Sequence, residues 1–359
     1  MNKLNYNFWK NKNILITGHT GFKGSWLSLW LLNLGAKVNG ISLAPIQSPN
    51  LFDELNLIND INHYLLDIRD EQKLKDKILK INPDIVFNLA AQPLVLESYK
   101  KPKSTWDVNV MGTINVLDSL RSIDIKCAAI FITTDKVYLN REWVFGYREN
   151  DPLGGKDPYS SSKAAAEIAI SSWRSSFCGK GYKQNPNLKI ASARAGNVIG
   201  GGDWSENRIL PDIIKSLSKG EIIQIRNSMS TRPWQHVLEP LKGYMLLAQK
   251  LYEGRDDVCT SFNFGPHSES NKTVKELVNE SLFNWEGEWI DSTKKSAHHE
   301  ASLLNLTIEK AHKLLGWQPK WSFKETVKNS INWYKKFYDN GISAIKCCED
   351  DINIFNSEK

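Results

Sequence analysis

Residues 14–24 read Ile14-Leu15-Ile16-Thr17-Gly18-His19-Thr20-Gly21-Phe22-Lys23-Gly24, and Ser25-Trp26-Leu27-Ser28-Leu29-Trp30-Leu31 follows directly. The first part is a short apolar strand, the glycines make a turn, and the remainder opens a helix that the spacing predicts to be amphipathic. Glycine at such a junction permits a tight turn, brings backbone N–H groups close to a pyrophosphate, and lets the helix pack against the strand with its N-terminus toward the phosphates. The G-x-x-G-x-x-G spacing, set between a strand and a helix, points to a dinucleotide site rather than to a plain structural turn.

Working outward, β-branched runs near residues 14–17, 38–43, 64–68, 85–90 and 130–134 alternate with longer helical patterns. Alternation of this kind predicts an α/β fold, a doubly wound parallel Rossmann-type sheet. Lys103 begins one crossover helix, and Tyr159-Ser-Ser-Ser-Lys163-Ala-Ala-Ala-Glu167 begins another, alanine-rich one. Past Gly200 the loops become rich in Gly, Trp, Arg and Pro. A Rossmann domain over about 1–190 is therefore expected, with 191–359 mainly a smaller, irregular C-terminal substrate lobe that returns segments to the sheet.

The 359 residues are 41% hydrophobic and 24% charged, an ordinary globular composition. The longest apolar stretch, residues 26–34, is too short to span a bilayer. The N-terminus runs into the first strand without a signal-peptide pattern, so a cytoplasmic protein is expected. A net charge of +6 spread along the chain fits an anionic small substrate and argues against nucleic acid as a partner. Five cysteines without C-x-x-C spacing suggest free thiols, not a disulfide framework or a zinc site. His298-His299-Glu300 diverge on a helix and have no partner motif, so no metal is expected. The tail from Ser343 carries no functional signal.

The second constellation is Tyr159-x-x-x-Lys163 together with Thr134 at the end of the fifth strand. Spacing of four places phenol and ammonium on one helical face. A nearby cation favours phenolate, and moving a tyrosine down by three units from about 10 takes about 4 kcal/mol. Lys163 and a positively charged nicotinamide ring are the expected sources. Asn88-Leu89-Ala90-Ala91-Gln92 follows the fourth strand, with Asn109 on the next helix. At the end of the second strand Ser42 stands where a ribose-binding acid is usual, so the sequence does not choose between NAD and NADP. Asp67 reads either as an adenine contact or as a solvated strand end.

With these residues in place, the chain resembles the extended short-chain dehydrogenase/reductases that act on nucleotide sugars, over nearly its whole length. The stretches GHTGFKGSWLSLWL, TTDKVY, NREWVFGYRE, DPYSSSKAAAE, RAGNVIGGGDW and RPWQHVLEPL are similar to those of the CDP-glucose 4,6-dehydratase branch. The resemblance implies a hydro-lyase that converts CDP-glucose to CDP-4-keto-6-deoxyglucose with retained NAD, in deoxysugar and cell-surface polysaccharide precursor synthesis. It also implies a homodimer or tetramer, with pairing through helices at about 103–121 and 159–177, and no membrane partner.

By the same resemblance, Thr134, Asp135, Lys136, Tyr159 and Lys163 are the catalytic candidates. Cofactor contacts fall to Gly18, Thr20, Gly21, Phe22, Lys23, Gly24, Asp67, Ile68, Leu89, Ala90, Ala91, Gln92, Asn109 and Thr133, with Tyr159 and Lys163. Substrate contacts fall to Gln92, Arg194, Asn197, Gly201, Arg208 and Arg232, with Trp204 or Trp234 as stacking candidates. Asp135-Lys136 replaces the Asp-Glu pair of thymidine-linked dehydratases and favours dehydration, since epimerisation at C4 needs no such couple. Lys136 as a base needs a depressed pKa, Asp135 as an acid a raised one. Neighbours on an extended strand point oppositely, so a turn must bring them together. Pro233 stands where most extended members have Asp, as in the CDP-glucose branch, whereas Leu96-Glu97 departs from it. Another nucleotide-sugar dehydratase or epimerase, or a dinucleotide-sensing scaffold, are the alternative readings.

Overall fold

The computed structural model describes residues 5–179, 185–292 and 303–357; His298, His299 and Glu300 lie outside them. Its centre is a parallel sheet of seven strands: β1 (Asn13–Thr17), β2 (Lys37–Ser42), β3 (Asn62–Leu65), β4 (Ile85–Asn88), β5 (Cys127–Thr134), β6 (Leu188–Ala195) and β7 (Ser261–Phe264). The spatial order is β7-β6-β5-β4-β1-β2-β3. β4 and β5 are buried at every position, as strands covered by helices on both faces must be. The order reverses between β1 and β4, which pair with Thr17 opposite Asn88; a reversal of this kind opens a crevice at the carboxyl ends of the strands.

The expected strands all form, with shifted ends. The third ends at Leu65 rather than Ile68, because the Asp67 carboxylate accepts the Arg69 N–H at 2.9 Å and turns the chain. The fourth ends at Asn88, where the backbone swings past the glycine turn.

Helix α1 (Phe22–Asn33) differs more from expectation. Gly24 through Leu31 are all buried, so the helix is enclosed rather than amphipathic. Its cover comes from far along the chain: the Trp26 indole donates to Gly201 O at 2.9 Å, and Trp30 packs edge-on against Phe355 in the C-terminal helix (Ala344–Ser357). The tail that carried no functional signal thus closes the core.

The crossover from Pro102 to Arg121 is helical throughout but contains a π segment at Asp107–Met111, a feature frequent at functional sites. Helix Pro158–Phe177 starts with Pro at N1 and a capping box between Asp157 and Ser160. β6 runs across residue 190, β7 returns at 261–264, and helix Leu238–Tyr252 packs on β5 and β6. No helix among the described residues is long and apolar enough to cross a membrane.

Candidate active site

The glycine turn is built by close approach. Gly18 has φ +75°, and a Cβ there would lie 2.7 Å from Ala90 N; a Cβ on Gly24 would lie 2.2 Å from Gly18 O. Only glycine lets strand, turn and helix meet this tightly. Gly21 caps α1 without any side-chain acceptor for its first-turn N–H groups. Thr17 Oγ1 donates to Asn88 Oδ1 at 2.6 Å and accepts from Ala90 N at 3.2 Å, pinning the crevice floor. A tight glycine cradle at the N-terminus of a twelve-residue helix fits a pyrophosphate. Thr20 and Ser42 share a hydroxyl–hydroxyl hydrogen bond of 2.7 Å where the ribose-binding acid is missing.

Around this cradle several cofactor candidates are engaged elsewhere. Asp67 pairs with Arg69 at 2.7 Å, and Arg69 reaches Asp107 at 3.2 Å. Ile68 packs on Gly112, where a Cβ would sit 2.5 Å from its Cδ1. The Gln92 side chain donates to Leu94 O at 3.1 Å and Thr105 Oγ1 at 2.9 Å and accepts from Leu94 N at 2.6 Å, which shapes its own loop. Asn109, inside the π segment, accepts from Gln92 N at 2.8 Å and donates to Ser162 Oγ at 2.9 Å. It joins the loop after β4, containing Leu89, Ala90 and Ala91, to the helix of Tyr159.

The turn that Asp135 and Lys136 need is present. Thr134 N-caps a 3-10 turn over Asp135–Val137: its Oγ1 accepts from Lys136 N at 3.3 Å and donates to Asp135 Oδ1 at 2.9 Å. Asp135 is 3% exposed. Burial raises its pKa, opposed by Lys136, the Thr134 bond, Arg232 and Lys23. Gly196 makes room for it, since a Cβ there would stand 2.7 Å from Asp135 Oδ2.

Tyr159 is pushed up to about 12 by burial, while Thr134 and Arg208 favour its ionised form. In the chain by itself burial therefore outweighs the lowering expected from Lys163. Lys163 donates to Ile132 O at 3.1 Å, and burial draws it down to about 8 against the pull of Glu167. Lys23 reaches in from the glycine turn, lowered to about 8 by burial and by Arg208, with Asp135 opposing. Beside Gly196 and Pro233 opens a cavity of about 270 Å³ whose wall includes Val144, Gly146, His267 and Asn271.

The sequence pattern of the GDP-mannose 4,6-dehydratase family matches residues 15–330. The chain belongs to that family. Within it, the chain is 44% identical to the CDP-glucose 4,6-dehydratase of Salmonella typhimurium, with 98% of each chain covered. Among solved structures, UDP-glucose 4-epimerase of Thermotoga maritima superposes with a TM-score of 0.77 at 23% identity, covering 90% of this chain and 99% of that one. The dTDP-glucose 4,6-dehydratase of Bacillus anthracis in complex with NAD gives 0.73 at 22%, covering 90% and 96%.

For a member of the GDP-mannose 4,6-dehydratase family, the arginines divide in two. Arg208 bonds Asp203 at 3.0 Å and acts electrostatically on Tyr159 and Lys23; Arg232 acts on Asp135. Both belong to the cleft, and Asn197 follows β6 beside Gly196. Arg194 does not: 3% exposed, it donates to Glu167 Oε2 at 2.8 Å, Tyr138 Oη at 2.9 Å, Glu149 O at 3.0 Å and Ser261 Oγ at 3.1 Å.

The Thr133 hydroxyl donates to Glu167 Oε1 at 2.5 Å, on the helix that carries Tyr159 and Lys163. Gly201 is a packing glycine, with Trp333 ring atoms 2.0 Å from where its Cβ would be. Trp234 donates to Lys272 O at 2.9 Å and is buried; Trp204 donates to Tyr338 Oη at 2.9 Å and packs on Trp333. Neither indole is free to stack on a substrate. Glu167 and Gly196 escaped sequence reasoning, although Glu167 lies one helical turn beyond Lys163.

Proposed function

We propose that this protein converts CDP-glucose to CDP-4-keto-6-deoxyglucose with NAD held throughout the cycle. The observation that carries this reading is the buried, upward-shifted Asp135 beside Tyr159 and Lys136. The 44% identity to a CDP-glucose 4,6-dehydratase supports the choice of nucleotide. A C4 epimerase has no use for such an acid.

NAD would rest its pyrophosphate on Gly18, Gly21 and Gly24 and the N-terminus of α1, with Lys163 at its ribose. When bound, NAD would supply the hydride acceptor for C4 and the hydride donor for C6. Tyr159 removes the proton of the C4 hydroxyl, with Thr134 hydrogen-bonding that oxygen. Phenolate needs about 12 to fall, and the positive charges of Lys163 and the oxidised cofactor are the sources. The resulting ketone acidifies C5–H. Lys136 accepts that proton, Asp135, whose pKa burial raises, gives one to the departing C6 hydroxyl so that water leaves, and the Lys136 side returns a solvent-exchanged proton to C5 as hydride reaches C6. Arg208 and Arg232 are suited to the diphosphate, since guanidinium forks match phosphate oxygens. Gly196, which packs against Asp135, also lines the cavity of about 270 Å³ next to it.

The test uses CDP-glucose carrying deuterium at C4. The label should reappear at C6 of the same molecule and solvent should label C5, read by product mass and NMR. Loss of the label to water, or stoichiometric free NADH, rejects the reading. The active unit is proposed to be a homodimer.

A further inference from the structure

Glu167 has no part in the reaction as described, yet it is among the most deliberately placed groups in the chain. Its carboxylate, 2% exposed, accepts from Thr133 Oγ1 at 2.5 Å, Ser192 Oγ at 2.8 Å and Arg194 Nη2 at 2.8 Å. It lies one turn beyond Lys163 on helix Pro158–Phe177, on the face that also carries Tyr159. Thr133 immediately precedes the Thr134–Asp135 turn, and Ser192 and Arg194 belong to β6. One carboxylate therefore ties the helix of Tyr159 and Lys163 to the strand end that bears the acid.

We propose that Glu167 is a positioning residue for the dehydration: bonded to Thr133, Ser192 and Arg194, it locks helix Pro158–Phe177, and with it Tyr159 and Lys163, in register with the Thr134–Asp135 turn. An isolated ammonium at this depth would lose its proton unless an anion compensated it.

Burial acts to raise the Glu167 pKa, but Arg194, Thr133 and Ser192 together hold it below the usual carboxylate range, so it is ionised. Burial lowers Lys163 and Glu167 raises it, the one charge acting against that loss. The other charged groups nearby are Lys23 from the glycine turn, which opposes the Lys163 charge, and Arg174 on the same helix, which faces Glu167; Tyr138 and Glu149 lie on the far side of Arg194. Asp135, which acts on Lys23 and on Tyr159, is the other carboxyl of the cleft.

The inference rests on the proposed dehydratase reading for its kinetic arm only. The test compares wild type, Glu167→Asp and the double variant Glu167→Gln/Arg194→Met, which removes both members of the buried ion pair and so avoids stranding Arg194. In proteins labelled with ¹³C on lysine ε carbons, the Lys163 signal, assigned through Lys163→Arg, is titrated by NMR without substrate. The double variant should lower its midpoint by about one pH unit, with Glu167→Asp restoring most of it. With CDP-glucose and NAD, the alkaline limb of kcat should move down by the same amount while KM changes less than about threefold.

An unchanged Lys163 midpoint in a folded double variant overturns the proposal, as does an equal loss in Glu167→Asp and the double variant. Should the double variant fail to melt cooperatively, the Glu167→Asp midpoint decides, and it must fall measurably because the carboxylate is withdrawn by one methylene. Absence of turnover in wild type would count against the dehydratase reading and leave the NMR arm intact.

Discussion

Two lysines and a tyrosine share one cleft, and their roles separate by step. Tyr159→Phe removes the group proposed to take the C4 hydroxyl proton, so neither reduced nicotinamide nor ketone should appear in a single turnover. Lys136→Met keeps the stem but removes the proposed C5 base. Reduced nicotinamide absorbance should then build up and persist, with solvent exchange at C5 falling on the order of 10²–10⁴. Turnover of Lys136→Met at the parent rate would return Asp135-Lys136 to a mere charged turn. The arginines provide a second contrast. Arg208→Ala should raise KM for CDP-glucose by about 10- to 100-fold, the worth of a charge-assisted bond to phosphate. Arg194→Ala should instead abolish soluble, cooperatively folding protein, because it leaves Glu167 buried and unpaired; a folded Arg194→Ala protein with only a raised KM would restore Arg194 to the substrate.

At the scale of elements, the strands were legible because a fully buried parallel strand must be written in β-branched and apolar residues. The shared helical face of Tyr159 and Lys163 was legible because a spacing of four fixes it. What escaped was direction. Arg194 stands at the right strand end, but a strand's pleat sends neighbours to opposite faces, and motif likeness does not say which face a side chain takes. Enclosure of α1 escaped for a different reason, since its cover lies more than 300 residues further on.

That covering helix makes an electrostatic prediction. His236 and Asp351 face each other at 3.8 Å in the core. Burial draws His236 down to about 3 and pushes Asp351 up to about 8 and nearby Glu239 up to about 7, so between these limits the contact joins neutral groups and is no ion pair. From about pH 4 to 8 the folded chain keeps carboxyl protons that the unfolded chain has released, and stability falls as pH rises through that window. His236 acts oppositely below about 6.5, where only the unfolded imidazole binds a proton. Melting temperature should therefore decline from pH 6 to 8, and Asp351→Asn should flatten that decline, which thermal scans in matched buffers will show; an unaltered slope would place the titrating group elsewhere.

For the whole molecule, the exposed surface poses the remaining question. The helical crossover at 102–121 and helix Pro158–Phe177 pack side by side, and both leave large apolar side chains outside: Trp106 is 42% exposed, Met111 48% and Ile168 61%. Isolated apolar residues on a surface need no explanation, but these lie on the two helices that the family resemblance pairs across a two-fold axis. In the proposed homodimer these helices would close into a four-helix bundle. Light scattering at micromolar protein should give a homodimer for wild type. Ile168→Asp would then place carboxylates against the apolar seam, where a buried unpaired charge is costly, and the dimer dissociation constant should rise by at least about 100-fold. Tyr159 and Lys163 sit on the inner face of the same helix, so the monomerised protein should keep its fold by circular dichroism while losing turnover, as the helix loses its outer support. An Ile168→Asp protein that remains dimeric, or a wild type that is monomeric at working concentration, would remove this face as the interface.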